Sequence, residues 1–220
     1  MQYGVEVVTY QRTEKSKGKE KKRKFEQSRN TVKMIFYFLC GFLVSRVMMV
    51  NLMAPFGIAF FISMALCEKR KPALITGFGT LLGYISIYGN IKYLPSYCIV
   101  TVTLVTLNYI LKNSIKIKKL ILFFAVIFLE FFAYKFFAVN LSPGVAILNS
   151  MFEIMCIFPL YFIINYSIIC FNQLKTRHLY SSEEIISMSI TTSLIIAGTW
   201  GTAIQGISVR NVVALTFKLI

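Results

Sequence analysis

The chain has 220 residues, of which 56% are hydrophobic and 15% are charged, and its 24 Lys and Arg against nine acidic residues give a net charge of +15. Soluble domains carry about 25% charged residues, and their helices need a polar face toward water. The composition therefore excludes an ordinary soluble domain. It predicts an all-α fold, a polytopic integral membrane helical bundle.

Residues 1–33 form a basic arm. Ten of the Lys and Arg lie between Arg12 and Lys33, and no short apolar core with a cleavage site marks a signal peptide. We expect a disordered, solvated cytoplasmic arm that sets the orientation of the chain and also binds anionic lipid. The basic run from Lys15 to Asn30 has only Phe25 for stacking on bases, so nucleic-acid binding is not expected.

The apolar stretch from Met34 to Leu66 is too long for one membrane span. Pro55 lacks a backbone N–H and restricts the residue before it, so a helix is expected to end ahead of it. We predict a helix over 34–51, a tight turn, and a shorter helix over 55–67. The break is bracketed by Asn51 and Gly57 and contains Pro55.

Further apolar segments predict about seven spans in total and the start of an eighth. A helix rises 1.5 Å per residue, so about 20 residues cross the hydrocarbon core. The eighth segment begins near Asn211 and has ten residues, so residues 34–220 are expected to be a multi-spanning domain that is incomplete at its C-terminus. The other candidate spans are 72–89, 95–111, 120–139, 148–171 and 185–204.

The connecting segments carry basic residues on one side only. Cytoplasmic loops of membrane proteins are enriched in Lys and Arg, and this bias sets orientation. With a cytoplasmic N-terminus, the inner loops at 68–71, 112–119 and 172–178 hold three, four and two Lys or Arg. The outer loops hold at most one each and lie at 51–55, 90–94, 140–147 and 205–210.

Four charged side chains fall inside predicted spans. Arg46 and Glu130 are expected at similar depth, roughly 18 and 15 Å from the inner boundary. Lys135 and Glu153 flank the turn near residues 142–144 almost symmetrically, so an antiparallel hairpin would bring them together. Charges inside a membrane usually find partners, so we expect structural ion pairs that fix helix packing. An ion or proton path and snorkelling without a partner remain alternatives.

Two local patterns indicate helix ends and contacts. Ser181 followed by Glu184 three residues later, just before an apolar run, predicts a capping box at a helix start. Gly79 and Gly83 are four residues apart, which would permit close contact between helices, although general packing plasticity explains them as well.

No residue pattern predicts a catalytic, cofactor or metal site. The odd number of cysteines and the lack of CxxC spacing favour buried thiols, and His178 lies in a polar connector. The chain contains no Asp. The cysteines are Cys40, Cys67, Cys98, Cys156 and Cys170.

Two stretches carry a family resemblance. The segment GFLVSRVMMVNLMAPFGIAFF, which begins at Gly41, resembles the first membrane hairpin of the stage II sporulation protein E family of spore-forming Firmicutes. The segment SSEEIISMSITTSLIIAGTWGTAIQGISVRNV, which begins at Ser181, resembles a later part of the same membrane region. Their order and their separation of about 140 residues agree with that family.

The resemblance implies a larger protein than this chain. The family has about ten spans, a cytoplasmic oligomerisation region and a PP2C-type serine phosphatase domain that uses Mn or Mg. That phosphatase acts on an anti-anti-sigma factor and so activates the forespore sigma factor. The family also associates with the tubulin-like division protein at the polar septum. The resemblance implies that this chain is the membrane-anchoring and localisation module without its catalytic domain, and not itself an enzyme.

The implied location is the cell membrane, as a multi-pass protein with a cytoplasmic N-terminus, and further the polar sporulation septum. Self-association and partners in the division machinery are additional expectations. The alternative function is a small solute transporter subunit of the vitamin-uptake substrate-binding type, since such proteins have a similar number of spans. That reading would place Trp200, Thr202 and Gln205 at an outward-facing cavity.

Overall fold

The computed structural model describes residues 30–49, 53–87, 93–111, 115–173 and 180–199, together with the strand residues 203–204 and 207–208. The chain divides into two compact units, residues 1–36 and residues 37–220. In the described part of the first unit the chain is helical, and Val32, Ile35 and Phe36 are exposed. All contacts below are within the second unit.

The described residues contain seven α-helices, one π-helical turn and one short antiparallel pair of strands. Tyr134–Ala138 is the π-helical turn that extends the fifth helix, and Ala203–Ile204 pairs with Ile207–Ser208. The helices are α1 Asn30–Ser45, α2 Pro55–Cys67, α3 Arg70–Ser86, α4 Leu94–Ile110, α5 Lys116–Ala133, α6 Pro143–Gln173 and α7 Ser182–Gly198.

Successive helices from α1 to α6 run in alternating directions, which gives the second unit two ends. At one end Tyr37, Glu68 and Asn172 share hydrogen bonds, so Tyr37 of α1 lies beside the ends of α2 and α6. We call this the Glu68 end. At the opposite end Lys135, in the π turn after α5, contacts Glu153 in the first half of α6. We call this the Glu153 end.

Helix α2 forms the centre of the core. Twelve of its thirteen residues are buried, and it packs most extensively on α6, where the hydroxyl of Ser63 donates to the carbonyl of Tyr161 at 3.2 Å. Thirteen residues span about 20 Å, which is shorter than the roughly 30 Å hydrocarbon core of a bilayer. The helix is therefore an interior element enclosed by its neighbours.

Glycines bring α1 and α3 into close contact. A Cβ atom added at Gly79 would lie 2.5 Å from the carbonyl oxygen of Phe38, and one at Gly83 would lie 2.5 Å from that of Phe42. From the other side, a Cβ at Gly41 would lie 2.9 Å from the carbonyl oxygen of Thr76. Only a residue without a side chain allows two helix backbones to approach this closely.

The helices expose large apolar side chains and bury several polar ones. On α6, Ser150 and Glu153 are buried, whereas Leu148 and Met155 are 70% and 71% exposed. The buried hydroxyls bond within their own helices, as Ser150 does to the carbonyl of Ala146 at 2.8 Å. Large exposed apolar patches mark sites of interaction with other proteins or with a membrane.

Two helical stretches are long and apolar enough to cross a membrane. They are Lys116–Ala138 and Pro143–Gln173, with 23 and 31 residues. Among the described helices, α1, α2 and α4 are apolar but shorter. The described residues thus contain two helices that meet both criteria, fewer than the seven or eight spans expected from hydropathy alone.

Most predicted boundaries lie within a few residues of the observed ones, but the first helix does not. It ends at Ser45 and not at residue 51, because the N–H groups of Arg46 and Val47 bond three residues back, at 3.1 and 3.2 Å, and so tighten the last turn. Pro55 begins α2, a position where its missing N–H is harmless. Asn51 lies outside the described residues.

Further predictions either differ from the structure or concern residues outside the described ranges. Gly57 is the third residue of α2 and not part of the break, because it lies against Tyr84 and Ser45, where a side chain would not fit. The predicted helix 185–204 ends at Gly198, and the hydroxyl of Thr199 then bonds back to the carbonyl of Ile196 at 2.6 Å. The basic arm up to residue 29 and the eighth segment lie outside the described residues.

Candidate functional site

A buried ion pair lies at the Glu153 end. The ammonium nitrogen of Lys135 lies 3.1 Å from Oε1 of Glu153, and the two side chains are 2% and 1% exposed. The hydroxyl of Tyr97, from α4, donates to the same carboxylate oxygen at 3.2 Å. Three segments distant in sequence thus meet at one carboxylate.

Helical spacing explains how these side chains reach the core. Glu153 lies on the buried stripe of α6, four residues before Ile157 and three after Ser150. Lys135 continues the buried row of α5 that contains Ile127 and Phe131, and it lies in the π-helical turn. Its ammonium nitrogen lies 5.6 Å from the centre of the Phe131 ring, a favourable cation–π arrangement.

The two charges of the pair balance each other, and both side chains are buried away from solvent. Removal of either partner would destabilise the fold, because it would leave one uncompensated charge in a low-dielectric interior. The second carboxylate oxygen of Glu153 has no hydrogen-bond partner within the described part of the chain. The arrangement can fix α5, α6 and α4 against one another, and it contains no nucleophile activated by a base.

Two tyrosines connect this pair to the start of α2. The rings of Tyr84 and Tyr97 lie 5.6 Å apart. The hydroxyl of Tyr84 accepts from the N–H of Ile58 at 3.1 Å and donates to the carbonyl of Ala54 at 2.8 Å. The polar groups at the beginning of a buried helix are thus satisfied by a side chain of α3.

A second polar cluster lies at the Glu68 end. The hydroxyl of Tyr37 donates to Oε1 of Glu68 at 2.7 Å, and the amide nitrogen of Asn172 donates to the same atom at 2.9 Å. Lys119, from α5, donates to the carbonyl of Ala65 at 3.1 Å and to the side-chain oxygen of Asn108. A cation at the carbonyl end of α2 also complements the helix dipole.

The structure does not bring Arg46 and Glu130 together. Arg46 lies just past the end of α1, with its guanidinium 5.6 Å from the ring centre of Phe42. Glu130 lies opposite the middle of α4, where the hydroxyl of Thr103 is 2.9 Å from its Oε2. No ion pair joins these two residues among those described. Their similar depth in the membrane, inferred from sequence, stays a prediction.

The predicted cap residues lie at the start of α7. The hydroxyl of Ser181 accepts from the N–H of Glu184 at 3.3 Å, and the Glu184 carboxylate accepts from the N–H of Ser181 at 3.0 Å. The five cysteines are free thiols. In the described ranges, no three His, Cys, Asp or Glu side chains come together as a metal site. His178, Trp200, Thr202 and Gln205 lie outside the described residues.

Sequence reasoning missed Tyr84, Tyr97 and Lys119. The two tyrosines lie in apolar runs, where a tyrosine is easily counted as one more large side chain. The available signal was helical spacing: Tyr97 is four residues before Thr101, and Asn108 follows seven residues after Thr101, so one side of α4 carries polar groups. A polar side on an otherwise apolar helix predicts the side that faces the protein interior.

Comparison with known proteins gives one family match. No curated protein and no solved structure is significantly similar to the chain. The sequence model described as "SpoIIE, N-terminal domain" matches residues 2–220. The match covers nearly the whole chain and leaves no stretch within it for a phosphatase domain. The chain therefore belongs to the SpoIIE N-terminal domain family and corresponds to the membrane-anchoring part of a SpoIIE-like protein.

Proposed function

We propose that this chain is the multi-pass membrane anchor and localisation module of a stage II sporulation protein E-like serine phosphatase, with a cytoplasmic N-terminus and about seven crossings. In this proposal it holds the enzyme at the asymmetric septum, where the phosphatase activates the forespore sigma factor. The chain contributes anchoring and position, and the catalytic chemistry belongs to another domain.

The exposed apolar surface of the helices is the observation that carries this proposal. Threonines and glycines of α3, such as Thr76 and Gly79, are buried, while Phe78 and Leu82 are 61% and 48% exposed. In water this arrangement would expose large apolar side chains at a considerable free-energy cost, whereas in lipid it costs nothing. The 17-residue helices are at the lower limit for a span, and the interior helix α2 need not contact lipid at all.

The charges support the orientation. Four lysines lie at the Glu68 end: Lys69 precedes α3, Lys71 is in the first turn of α3, and Lys116 and Lys118 are at the start of α5. At the Glu153 end, the described residues Lys135 and Glu153 are buried against each other. Basic residues flanking membrane helices remain on the cytoplasmic side, so the Glu68 end is assigned to the cytoplasm.

Cysteine labelling tests the crossing pattern and orientation. On a cysteine-free background, single cysteines at Lys71, Lys118 and Asn140 would be probed with a membrane-impermeant maleimide in intact cells. We expect Asn140→Cys to react from outside, and the two lysine replacements to react only after permeabilisation. Labelling of Lys71→Cys or Lys118→Cys in intact cells, with normal membrane insertion, would overturn the orientation.

Salt extraction separates anchoring by spans from attachment by charge. A fluorescent protein fused to residues 1–220 should stay in the membrane fraction after a high-salt wash, because salt screens exposed charges but does not extract buried helices. The same fluorescent protein fused to residues 1–33 alone is the control, and salt should release it. Release of the fusion with residues 1–220 by salt would contradict the proposal that the chain is anchored by membrane spans. Localisation to the septum is then scored by microscopy in sporulating cells.

A further inference from the structure

A cavity of about 310 Å³ lies between α4 and the end of α5. Helix α4 contributes Ser96 and Ile99, and the facing segment contributes Glu130, Tyr134 and Phe137. The last three residues recur at helical spacing, so one continuous side of α5 and its π turn forms the wall. Phe137 is 74% exposed, and the cavity therefore opens at an apolar surface.

Among the described residues that line this cavity, Glu130 alone carries a carboxyl, and its hydrogen-bond contact is with Thr103. Oε2 lies 2.9 Å from the hydroxyl oxygen of Thr103, which is also 2.9 Å from the carbonyl oxygen of Val100. One hydroxyl has a single proton to donate. If the carboxyl carries a proton and donates it to Thr103, then Thr103 is free to donate to Val100, and both contacts are satisfied.

The carboxyl has no cation beside it in the described part of the chain. Lys135, five residues further on, points into the core and pairs with Glu153. A carboxylate in an apolar site must be neutralised by a proton or by a cation. The aromatic rings of Tyr134 and Phe137 offer the electron-rich faces that bind ammonium groups.

We propose that the cavity between α4 and the end of α5 binds an organic ammonium ion with an apolar body. When this ion binds, it replaces a proton on Glu130. The ammonium lies against the carboxylate, and the apolar part fills the space beside Ile99 and Phe137. The volume is at the lower end of the range for small-molecule pockets, so the ligand is small. Because the opening is apolar, the ligand enters from the hydrocarbon phase. Binding of this ligand would be a function separate from anchoring the phosphatase.

Carbodiimide labelling of the full chain in mild detergent tests the site. Dicyclohexylcarbodiimide adds to a protonated carboxyl in an apolar environment: the acid proton goes to one carbodiimide nitrogen, the carboxyl oxygen attacks the central carbon, and rearrangement gives a stable N-acylurea. Peptide mass spectrometry locates the adduct. We expect Glu130 to react, and the buried Glu153 of the same molecule is the internal control that should not.

Protection by a ligand then decides the chemistry. The probe is benzyltrimethylammonium, and the control is neopentylbenzene, which has the same shape without the charge. Saturating benzyltrimethylammonium should slow labelling of Glu130 by about fivefold or more, whereas neopentylbenzene should not. Failure of Glu130 to react, protection by neither compound, or equal protection by both would each overturn the proposal. Equal protection would indicate an apolar pocket without a counter-charge.

Two variants add an independent readout. Binding should raise the melting temperature of the wild-type chain, and Glu130→Gln should remove that shift. If Glu130→Gln does not fold, Phe137→Ala serves instead, since it changes an exposed ring and leaves the carboxyl in place. It should weaken binding about fivefold through loss of one cation–π contact. An unchanged affinity in Phe137→Ala, or an unchanged shift in Glu130→Gln, would contradict the site. The assay in detergent does not depend on anchoring or septal location.

Discussion

Tyr84 on α3 caps the first turn of α2 by accepting a hydrogen bond from the N–H of Ile58 at 3.1 Å, and it donates its own proton to the carbonyl of Ala54 at 2.8 Å. These two backbone groups are four residues apart and would otherwise form the first hydrogen bond within the helix, so the hydroxyl is inserted between them. This single hydroxyl therefore satisfies two backbone groups.

Replacing this hydroxyl should destabilise the fold. Tyr84→Phe keeps the ring but removes both hydrogen bonds of the hydroxyl, and the Ile58 N–H must then reach the Ala54 carbonyl directly, so the free energy of unfolding should fall by about 0.5–1.5 kcal/mol. Denaturant titration in mild detergent measures the change. Tyr166→Phe on α6 is the matched control, because Tyr166 is exposed. Equal stability of the two variants would show that Tyr84 does not cap α2.

Breaking the ion pair should be more severe than removing it. Glu153→Gln leaves Lys135 buried without its counter-charge and should cost about 3–5 kcal/mol, which is seen as loss of monodisperse protein on size exclusion. The double change Lys135→Met with Glu153→Gln should recover most of the yield, because neither charge is then buried. Glu183→Gln on the exposed start of α7 is the control. A harmless Glu153→Gln would mean that the pair is not structural.

The glycine contact between α1 and α3 predicts a strong difference between two glycine-to-alanine changes. Gly83→Ala would push a methyl group against the Phe42 carbonyl and Ser45, and overpacking of this kind costs about 1–3 kcal/mol. Gly144→Ala, at the start of α6, meets nothing within 4 Å and should be neutral or slightly stabilising. Thermal unfolding in detergent compares them. Equal melting temperatures of the Gly83→Ala and Gly144→Ala variants would contradict this prediction.

The capping box predicts a local effect at the start of α7. Ser181→Ala removes the side-chain acceptor for the N–H of Glu184 and should destabilise the first turn by about 0.5–2 kcal/mol. Hydrogen exchange of the first-turn amides should therefore accelerate, while exchange in α5 stays unchanged. Ser189→Ala, at an exposed position in the same helix, is the control. Equal exchange in both variants would argue against a stabilising cap.

The sequence predicted the extent of several helices because apolar runs end where polar turns begin. The segment 95–111 corresponds to Leu94–Ile110, and 72–89 corresponds to Arg70–Ser86. The end of α1 could not be read in this way, since residues on both sides of Ser45 are apolar and the helix stops through local hydrogen bonds. The amino-acid composition around Tyr134 does not indicate the π-helical turn either.

The site was partly accessible from sequence. Lys135 and Glu153 could be paired because they lie at similar distances on either side of a turn, and antiparallel helices then place them at one level. The third member, Tyr97, lies 56 residues from Glu153, and nothing in hydropathy indicates that α4 packs there. Arg46 and Glu130 are not paired among the described residues, since similar depth alone does not place two side chains next to each other. Long-range packing decides such contacts.

The burial of α2 has a consequence for biosynthesis. Ser63 on α2 meets Tyr161 on α6, and 98 residues separate them along the chain. At bacterial synthesis rates of about 5–20 residues per second, α2 leaves the ribosome about 5–20 seconds before its main packing partner exists. A helix this short cannot rest stably across a bilayer by itself in that interval. In the proposed membrane topology we therefore expect the insertion machinery to hold α2 until α6 is made, so that a translational pause between residues 67 and 143 would lower the yield of folded protein.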